Sequence, residues 1–257
     1  MLMIKRTTGR ASRGSRSGWM LVVGLAGTLS ALPCTGARAD AVADGIAKAK
    51  EVLVPFQMKA PFSAPGPDFD ARKCAQGKKI LAMPNTSANP FLKGIIDREI
   101  AAGAVVGLRV REWQNLGLPS QWVQGFEQAI RDKYDIVDLV SSIDPQTLRP
   151  QVKAASEAGV KVMTTHFYDP TMKQDPLVSS SLTLDYGEVG KILANWTAAN
   201  LDGAANVVLV TMNEVPTALP LVAAIKAGLA ANCPNCKVAQ EINVGVTEWA
   251  TKIQPAV

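Results

Sequence analysis

One histidine, His166, and four cysteines are the side chains best able to bind a metal or drive nucleophilic chemistry. A zinc site needs about four ligands. His166 beside the pair Cys233-Pro-Asn-Cys236 falls short of that set, so no metal site is expected. An enzyme of this class would need a nucleophile with a base, a metal cluster or a phosphate-cradling loop. The chain has no Gly-x-Ser-x-Gly elbow and no glycine-rich loop following a strand. Paired carboxylates such as Asp135 and Asp138 flank or occupy a short apolar run and read as solvated strand ends. An exported α/β enzyme is therefore the weaker reading, and no cofactor is expected.

The cysteine pair has its own logic. A thioredoxin-like redox pair sits after a strand and at a helix start. Cys233 and Cys236 follow the helical stretch Leu219 to Ala231 and precede an apolar strand, Lys237 to Ile242, which is the reverse order. In an oxidising compartment a pair this close forms a local disulfide; two reduced core thiols are the competing reading. Cys74 stands in the polar segment Arg72-Lys73-Cys74-Ala75-Gln76 and reads as an unpaired thiol.

The N-terminus says which compartment applies. Lys5, Arg6, Arg10, Arg13 and Arg16 open the chain with no acid among them, and Trp19 to Pro33 is an apolar run of 15 residues. Ala37-Arg38-Ala39 supplies the small-x-small pattern of a signal-peptidase site. A bilayer span needs roughly 20 residues, so residues 1–39 read as a secretory signal and not an anchor. Proline before Cys34 fits a lipoprotein signal poorly. The whole chain carries 27 basic and 22 acidic residues, a net of +5. Six of the basic residues and none of the acidic ones lie in residues 1–39, which leaves a mature net charge of −1. A nucleic-acid partner needs a basic face and is excluded on this count. Apolar residues make up 47% of the chain, ample for a buried core.

The elements that must position these side chains alternate. Residues 40–50 read as helix, and the four prolines Pro55, Pro61, Pro65 and Pro67 make 52–70 an extended lead-in. Lys79 to Met83 is a strand. Asn89-Pro90 starts a helix by cap and first-turn proline, with Phe91, Ile95, Ile96 and Ile100 as its buried stripe and Gly103 as its stop. Leu108 to Glu112 is a strand, and Ser120 caps a helix carrying Trp122, Phe126 and Ile130. Asp135 to Val140 is a strand; Asp144-Pro145 caps a helix through Leu148, Val152 and Ala155, stopped by Gly159; Val160 to Thr164 is a strand. Continuous apolar strands alternating with helices predict a parallel sheet covered on both faces, with ligand loops along its carboxyl rim. Asp169 to Pro176 is polar and proline-marked and reads as a crossover to a second domain, giving lobes at 40–171 and 172–257. Beyond it come a helix with Tyr186, Val189, Leu193 and Trp196, a strand Asn206 to Met212, and a last helix capped by Thr247.

Three stretches carry a family resemblance: Gly77-Lys78-Lys79-Ile80, Ser87-Ala88-Asn89-Pro90-Phe91, and Ala154-Ala155-Ser156-Glu157-Ala158-Gly159-Val160-Lys161-Val162. Together, over roughly 77 to 250, they resemble type I periplasmic solute-binding proteins of the ribose and galactose group. The resemblance implies two doubly wound, Rossmann-like lobes joined by a hinge, closing on a small polar solute that is delivered to an ABC permease and its ATPase. A monomer in the periplasm is expected. Regulator ligand domains of the lactose-repressor type share the fold but carry a DNA-binding unit where this chain has its leader. The resemblance places Ser87, Asn89 and Phe91 on the loop that touches the sugar; the amide supplies paired hydrogen bonds and the ring a flat apolar face. Helix capping by Asn89 and core packing by Phe91 are the structural alternatives. Where the family places an Asp after its fourth strand, this sequence has Thr165-His166-Phe167-Tyr168, and His166 aligns best with that Asp. A neutral imidazole both donates and accepts, so it suits hydroxyls. The family often supplies an Arg near Val222 or Ala223, which this sequence lacks; Asn213 and Glu214 stand at that rim instead. Phe91, Trp113, Phe167 and Tyr168 would make the rim aromatic, fit for a cyclic polyol or a less polar solute. The family's second lobe continues further, so the chain reads as a C-terminally truncated member with an incomplete second lobe. A domain presenting its ligand to a sensor protein is the alternative to transport.

Overall fold

The computed structural model describes residues 2–5, 35–64, 66–141, 143–245 and 248–256. The elements run β1 (Leu2–Lys5), α1 (Thr35–Leu53), α2 (Ala71–Ala75), β2 (Lys79–Pro84), α3 (Pro90–Val106), β3 (Arg109–Glu112), α4 (Pro119–Arg131), β4 (Ile136–Val140), α5 (Arg149–Glu157) and β5 (Lys161–Thr165). They continue with β6 (Ser180–Leu182), α6 (Tyr186–Asn200), β7 (Asn206–Thr211), α7 (Ala218–Asn232), β8 (Lys237–Asn243) and α8 (Trp249–Ala256). Among the described residues no helix is long and apolar enough to cross a membrane.

The larger sheet is parallel throughout, in the order β3-β2-β4-β5-β6. The chain leaves β2 for β3 on one side, then recrosses β2 to reach β4. Right-handed crossovers therefore put α3 on one face and both α4 and α5 on the other. The packing follows: Leu81, Met83, Val137, Leu139 and Val162 pack with Phe126 and Val152 in the larger core cluster. Ala82 and Val140 face the other way, onto Leu92 and Ile96 of α3. The reversal between β2 and β4 is the topological switch point, where such sheets open a crevice at the carboxyl ends of their strands.

A second sheet, β1-β7-β8, carries α6 and α7. Ala49, Ala194, Ala198, Leu209, Ile225 and Leu229 pack together beneath it. A β-carbon on Gly190 would meet the Leu221 carbonyl oxygen at 2.6 Å, so the absent side chain sets how closely α6 and α7 approach.

Several elements differ from expectation. The helix after Asn89 runs past Gly103 to Gly107, whose positive φ of 75° closes it. Gly103 is instead a packing glycine, since a β-carbon there would lie 3.0 Å from the Leu108 carbonyl oxygen. The stripe shifts with it: Leu92, Ile96 and Gly103 are buried, whereas Phe91 and Ile100 are exposed. Leu118 and Pro119, not Ser120, start α4. Asp144 makes a local turn, accepting from Gln146 N at 2.8 Å, and α5 begins only at Arg149 with Pro150 in its first turn.

The lobe boundary at 171/172 does not coincide with the sheet boundary, because β6 still pairs with β5 as far as Leu182. α1 packs through Ala49 into the α6–α7 cluster and not onto the larger sheet. β1, from the segment read as a leader, pairs antiparallel with β7, so the smaller sheet is mixed where an all-parallel one was expected. Residues 6–34 of that segment and the Thr247 cap lie outside the described residues.

Candidate functional site

The loop after β2 opens at the switch point and is fixed by its neighbours. Asn85 N donates to the Val140 carbonyl at 3.2 Å, tying it to β4. Ser87 N donates to the Asn115 carbonyl at 2.9 Å, while Ser87 Oγ accepts from Asn115 N at 3.0 Å. The buried Asn115 amide donates to the Pro84 and Trp113 carbonyls at 3.0 and 3.1 Å. Asn115 was not visible as a site residue in the sequence, yet it locks the loops after β2 and β3 together. Trp113 turns away from the crevice. Its Nε1 donates to the Gln121 carbonyl at 2.8 Å, and its ring packs against the larger core cluster.

Asn89 Oδ1 accepts from Phe91 N at 2.9 Å, so the side chain caps α3. The cap leaves Phe91 on the first turn, 58% exposed. Its ring meets His166 edge-on, with centroids 5.6 Å apart and planes at 90°. His166 stands immediately after β5 with a positive φ of 58°, and Ser141 stands immediately after β4 with 53°. Left-handed backbone at a non-glycine residue is strained, and such strain gathers at functional sites. His166 is held there by two bonds: its N donates to the Leu182 carbonyl at 3.1 Å, and Tyr186 Oη donates to its carbonyl at 3.0 Å. Burial lowers the imidazole pKa, which keeps the ring neutral and able both to donate and to accept.

Phe91 and His166 share an open groove of about 630 Å³ with Ile95, Glu99, Thr165 and Leu182. Phe167 and Tyr168 do not line it. They are 2% and 4% exposed and pack edge-to-face at 4.8 Å, and Tyr168 Oη accepts from Asp175 N at 3.1 Å. Asn213 lies on the other sheet, exposed after β7, with its N donating to Asn243 Oδ1 at 2.7 Å and its Oδ1 accepting from Thr211 Oγ1 at 3.1 Å. Of the eight expected contact residues, the structure thus brings Phe91 and His166 together in one groove, with Ser87 and Asn89 on the loop leading into it.

Asp169 and Tyr186 were also missed. Buried Asp169 accepts from Thr171 N and Oγ1 and from Tyr186 N, and these bonds help hold its carboxyl below its ordinary pKa. Asp138 overturns its reading as a solvated strand end: it is 1% exposed in the middle of β4, with Thr165 Oγ1 donating to it at 2.8 Å. The signal was its place inside the apolar run Ile136-Val137-Asp138-Leu139-Val140. Cys233 and Cys236 are joined by a disulfide just beyond α7, and Cys74 is a free, exposed thiol.

The family described as periplasmic binding protein domain matches residues 82–254. No curated protein sequence matches the chain. Among solved structures, an ABC transporter solute-binding protein from Burkholderia graminis, in complex with D-arabinose, is 22% identical with a TM-score of 0.54 over 66% of this chain and 57% of its own. A Caulobacter myo-inositol-binding protein bound to myo-inositol is 19% identical with a TM-score of 0.53, over the same 66% and 57%. The fructose-binding periplasmic domain of a hybrid two-component system is 17% identical with a TM-score of 0.50, over 65% and 54%. The chain therefore spans just over half the length of these structures.

Proposed function

The chain belongs to the periplasmic binding protein family, and from that premise we propose that it is the solute-binding component of an ABC importer, exported to the periplasm, which holds a sugar or polyol and passes it to a permease and its ATPase. The observation that carries the reading is the edge-to-face pair of Phe91 and His166 in the groove at the carboxyl end of the larger sheet. A sugar has apolar C–H faces and hydroxyl edges; an exposed ring covers the first and a neutral imidazole answers the second. Asn89 and Ser87 add polar groups on the adjoining loop, and Asn213 supplies one from the other sheet. Phe167 and Tyr168 act from inside, fixing the backbone that presents His166. Two lobes, a monomeric state and a solute held between the lobes belong to the same proposal. Two of the structural neighbours are bound to D-arabinose and myo-inositol, which sets the first compounds to test.

A second reading, ligand presentation to a sensor protein, is favoured by the likeness to the fructose-binding domain of a two-component system. Both readings share the solute site and differ in the partner.

The test is a thermal melt of the purified protein against pentoses, hexoses, inositols and acyclic polyols. A ligand that binds only the native state at about 100 times its dissociation constant adds about 2.7 kcal/mol. We expect one class of compound to raise the midpoint by several degrees. A cooperative melt that no sugar or polyol moves would overturn the sugar-binding reading.

A further inference from the structure

His166 holds a backbone posture that it would not adopt alone. Its φ of 58° lies in the left-handed region. A residue with a β-carbon pays for that conformation and keeps it only where its neighbours over-determine it. The neighbours here belong to the segment that carries the chain from the larger sheet to the helices of the smaller one. β6 ends at Leu182 and α6 begins at Tyr186. Along that crossing His166 N donates to the Leu182 carbonyl at 3.1 Å and Leu184 N donates to the Tyr168 carbonyl at 3.2 Å. Tyr186 N donates to Asp169 Oδ2 at 2.9 Å. Each of these donors is a backbone N–H, so none depends on the side chain at position 186.

The Tyr186 phenol adds a bond of another kind. Its hydroxyl donates to the His166 carbonyl at 3.0 Å, and among the described residues no other donor reaches that oxygen. A phenol has one O–H to give. It is spent on the carbonyl, so the Thr217 hydroxyl, which bonds the same phenol, is the donor of that second bond. Thr217 is 3% exposed and stands directly before α7, yet its side chain makes no capping bond to that helix. Its hydroxyl serves Tyr186 instead. Burial raises the Tyr186 pKa, so the phenol keeps the proton that it donates.

We propose that Tyr186 is a positioning residue for solute binding: the relay from Thr217 through the Tyr186 hydroxyl to the His166 carbonyl holds that backbone left-handed and so keeps the imidazole edge-on to Phe91. The proposal rests on the reading of that groove as the solute site. Tyr186 opens α6 and Thr217 precedes α7, the two helices of the smaller sheet, whereas His166 ends a strand of the larger one. The posture of the ring therefore depends on where α6 and α7 stand. Without the hydroxyl the carbonyl loses its donor, the backbone relaxes to negative φ, and the ring leaves Phe91 for solvent. A residue that merely glued the crossing together would change stability and leave the ring where it is.

The experiment uses Tyr186→Phe, which keeps the ring and every backbone bond of the crossing. His166 is the only histidine in the chain, so in tag-free protein its imidazole C–H signals in a proton NMR titration identify themselves. Burial holds the parent's imidazole below its ordinary 6.5. In Tyr186→Phe the midpoint should rise toward 6.5 and the signals should move as the Phe91 ring leaves them. Arg98 and Glu99 share the groove, Asp138 lies beneath Thr165, and Asp169 holds the start of α6. All four are the same in both proteins, so the difference reports the surroundings of the ring. If Tyr186→Phe folds poorly, Thr217→Val removes the other end of the relay and should move the signals the same way. An imidazole that titrates and resonates as in the parent would overturn the proposal. Any solute that the melts identify supplies a second readout. Tyr186→Phe should weaken its binding about tenfold, the loss that follows when the His166 hydrogen bond goes. In a His166→Ala background the same change should cost less than about twofold, because both act through one side chain. Losses that simply add would overturn the proposal. The NMR titration needs no solute, so failure of the sugar reading and failure of the relay are told apart.

Discussion

A carboxyl in the middle of a five-residue apolar strand raises the free energy of the fold unless its charge is shared or removed. Asp138 and Glu99 resolve this by keeping a proton that the unfolded chain gives up. Glu99 has an ordinary value near 4.5 and is raised to about 8 in the fold. Between those values the native state holds a proton that the unfolded state has lost, so this pair's contribution falls as pH rises through the window. Asp135 and Asp169 run the opposite way, their pKa values being lowered, so the pair must be isolated by difference. The melting midpoint of Glu99→Gln minus that of the parent should grow from pH 5.5 to about 8 and level off beyond it; a constant difference would show that the pair holds no proton. At the sugar groove, His166→Ala should weaken binding of the cognate solute about tenfold, the loss of about one hydrogen bond's worth of free energy. Calorimetry that finds an unchanged dissociation constant would remove His166 from the site. The sequence marked His166 by its place after a strand. It could not mark the strained backbone that aims the ring, which Tyr186 holds from twenty residues away, or the inward turn of Tyr168, whose hydroxyl meets the Asp175 backbone across an irregular loop.

At the scale of elements, local chemistry was legible where a signal acts through its own neighbours. Asn89-Pro90 starts α3 as read, because cap and proline need only the backbone next to them. Asp144-Pro145 looks the same in sequence but makes only a turn, and α5 waits for Arg149. Gly103 was read as the stop of α3, but the helix runs on to Gly107. Only Gly107 takes the left-handed conformation; Gly103 is small because β3 passes close by, which no local pattern reveals. Asn89 joins two roles that substitution can part. Asn89→Ala should cost about 1 kcal/mol of stability through loss of the cap. Asn89→Ser keeps an oxygen for Phe91 N and should recover most of that stability by denaturant melt. If the amide also holds solute, the serine variant will still bind the sugar more weakly than the parent; equal binding would confine Asn89 to capping.

The whole molecule carries two kinds of charge on one chain. The full sequence has an isoelectric point near 9.0. That basicity comes from the six basic residues of the first 39, and the remainder is one charge negative. If residues 1–39 are a signal cut after Ala39, protein recovered from the periplasm begins at Asp40, and intact mass will show the loss. It will then focus well below 9 and bind an anion exchanger at pH 8, since a net charge set by the leader leaves with it. Recovery of the full-length mass with a basic isoelectric point would end the leader reading. The fold makes the same question mechanical. β1 pairs with β7 through Leu2–Lys5, and α1 begins at Thr35, so the cut would take one strand from the smaller sheet and five residues from the start of a helix. What holds α1 in place lies beyond the cut: Ala49 is fully buried against the α6–α7 cluster. A strand lost from a sheet edge exposes the β7 backbone but removes little of that core. Residues 40–257 should therefore melt cooperatively within a few degrees of the full chain. A large drop in midpoint would mean that β1 belongs to the working fold, which a cleaved leader cannot do, and melts of the two proteins side by side decide between them.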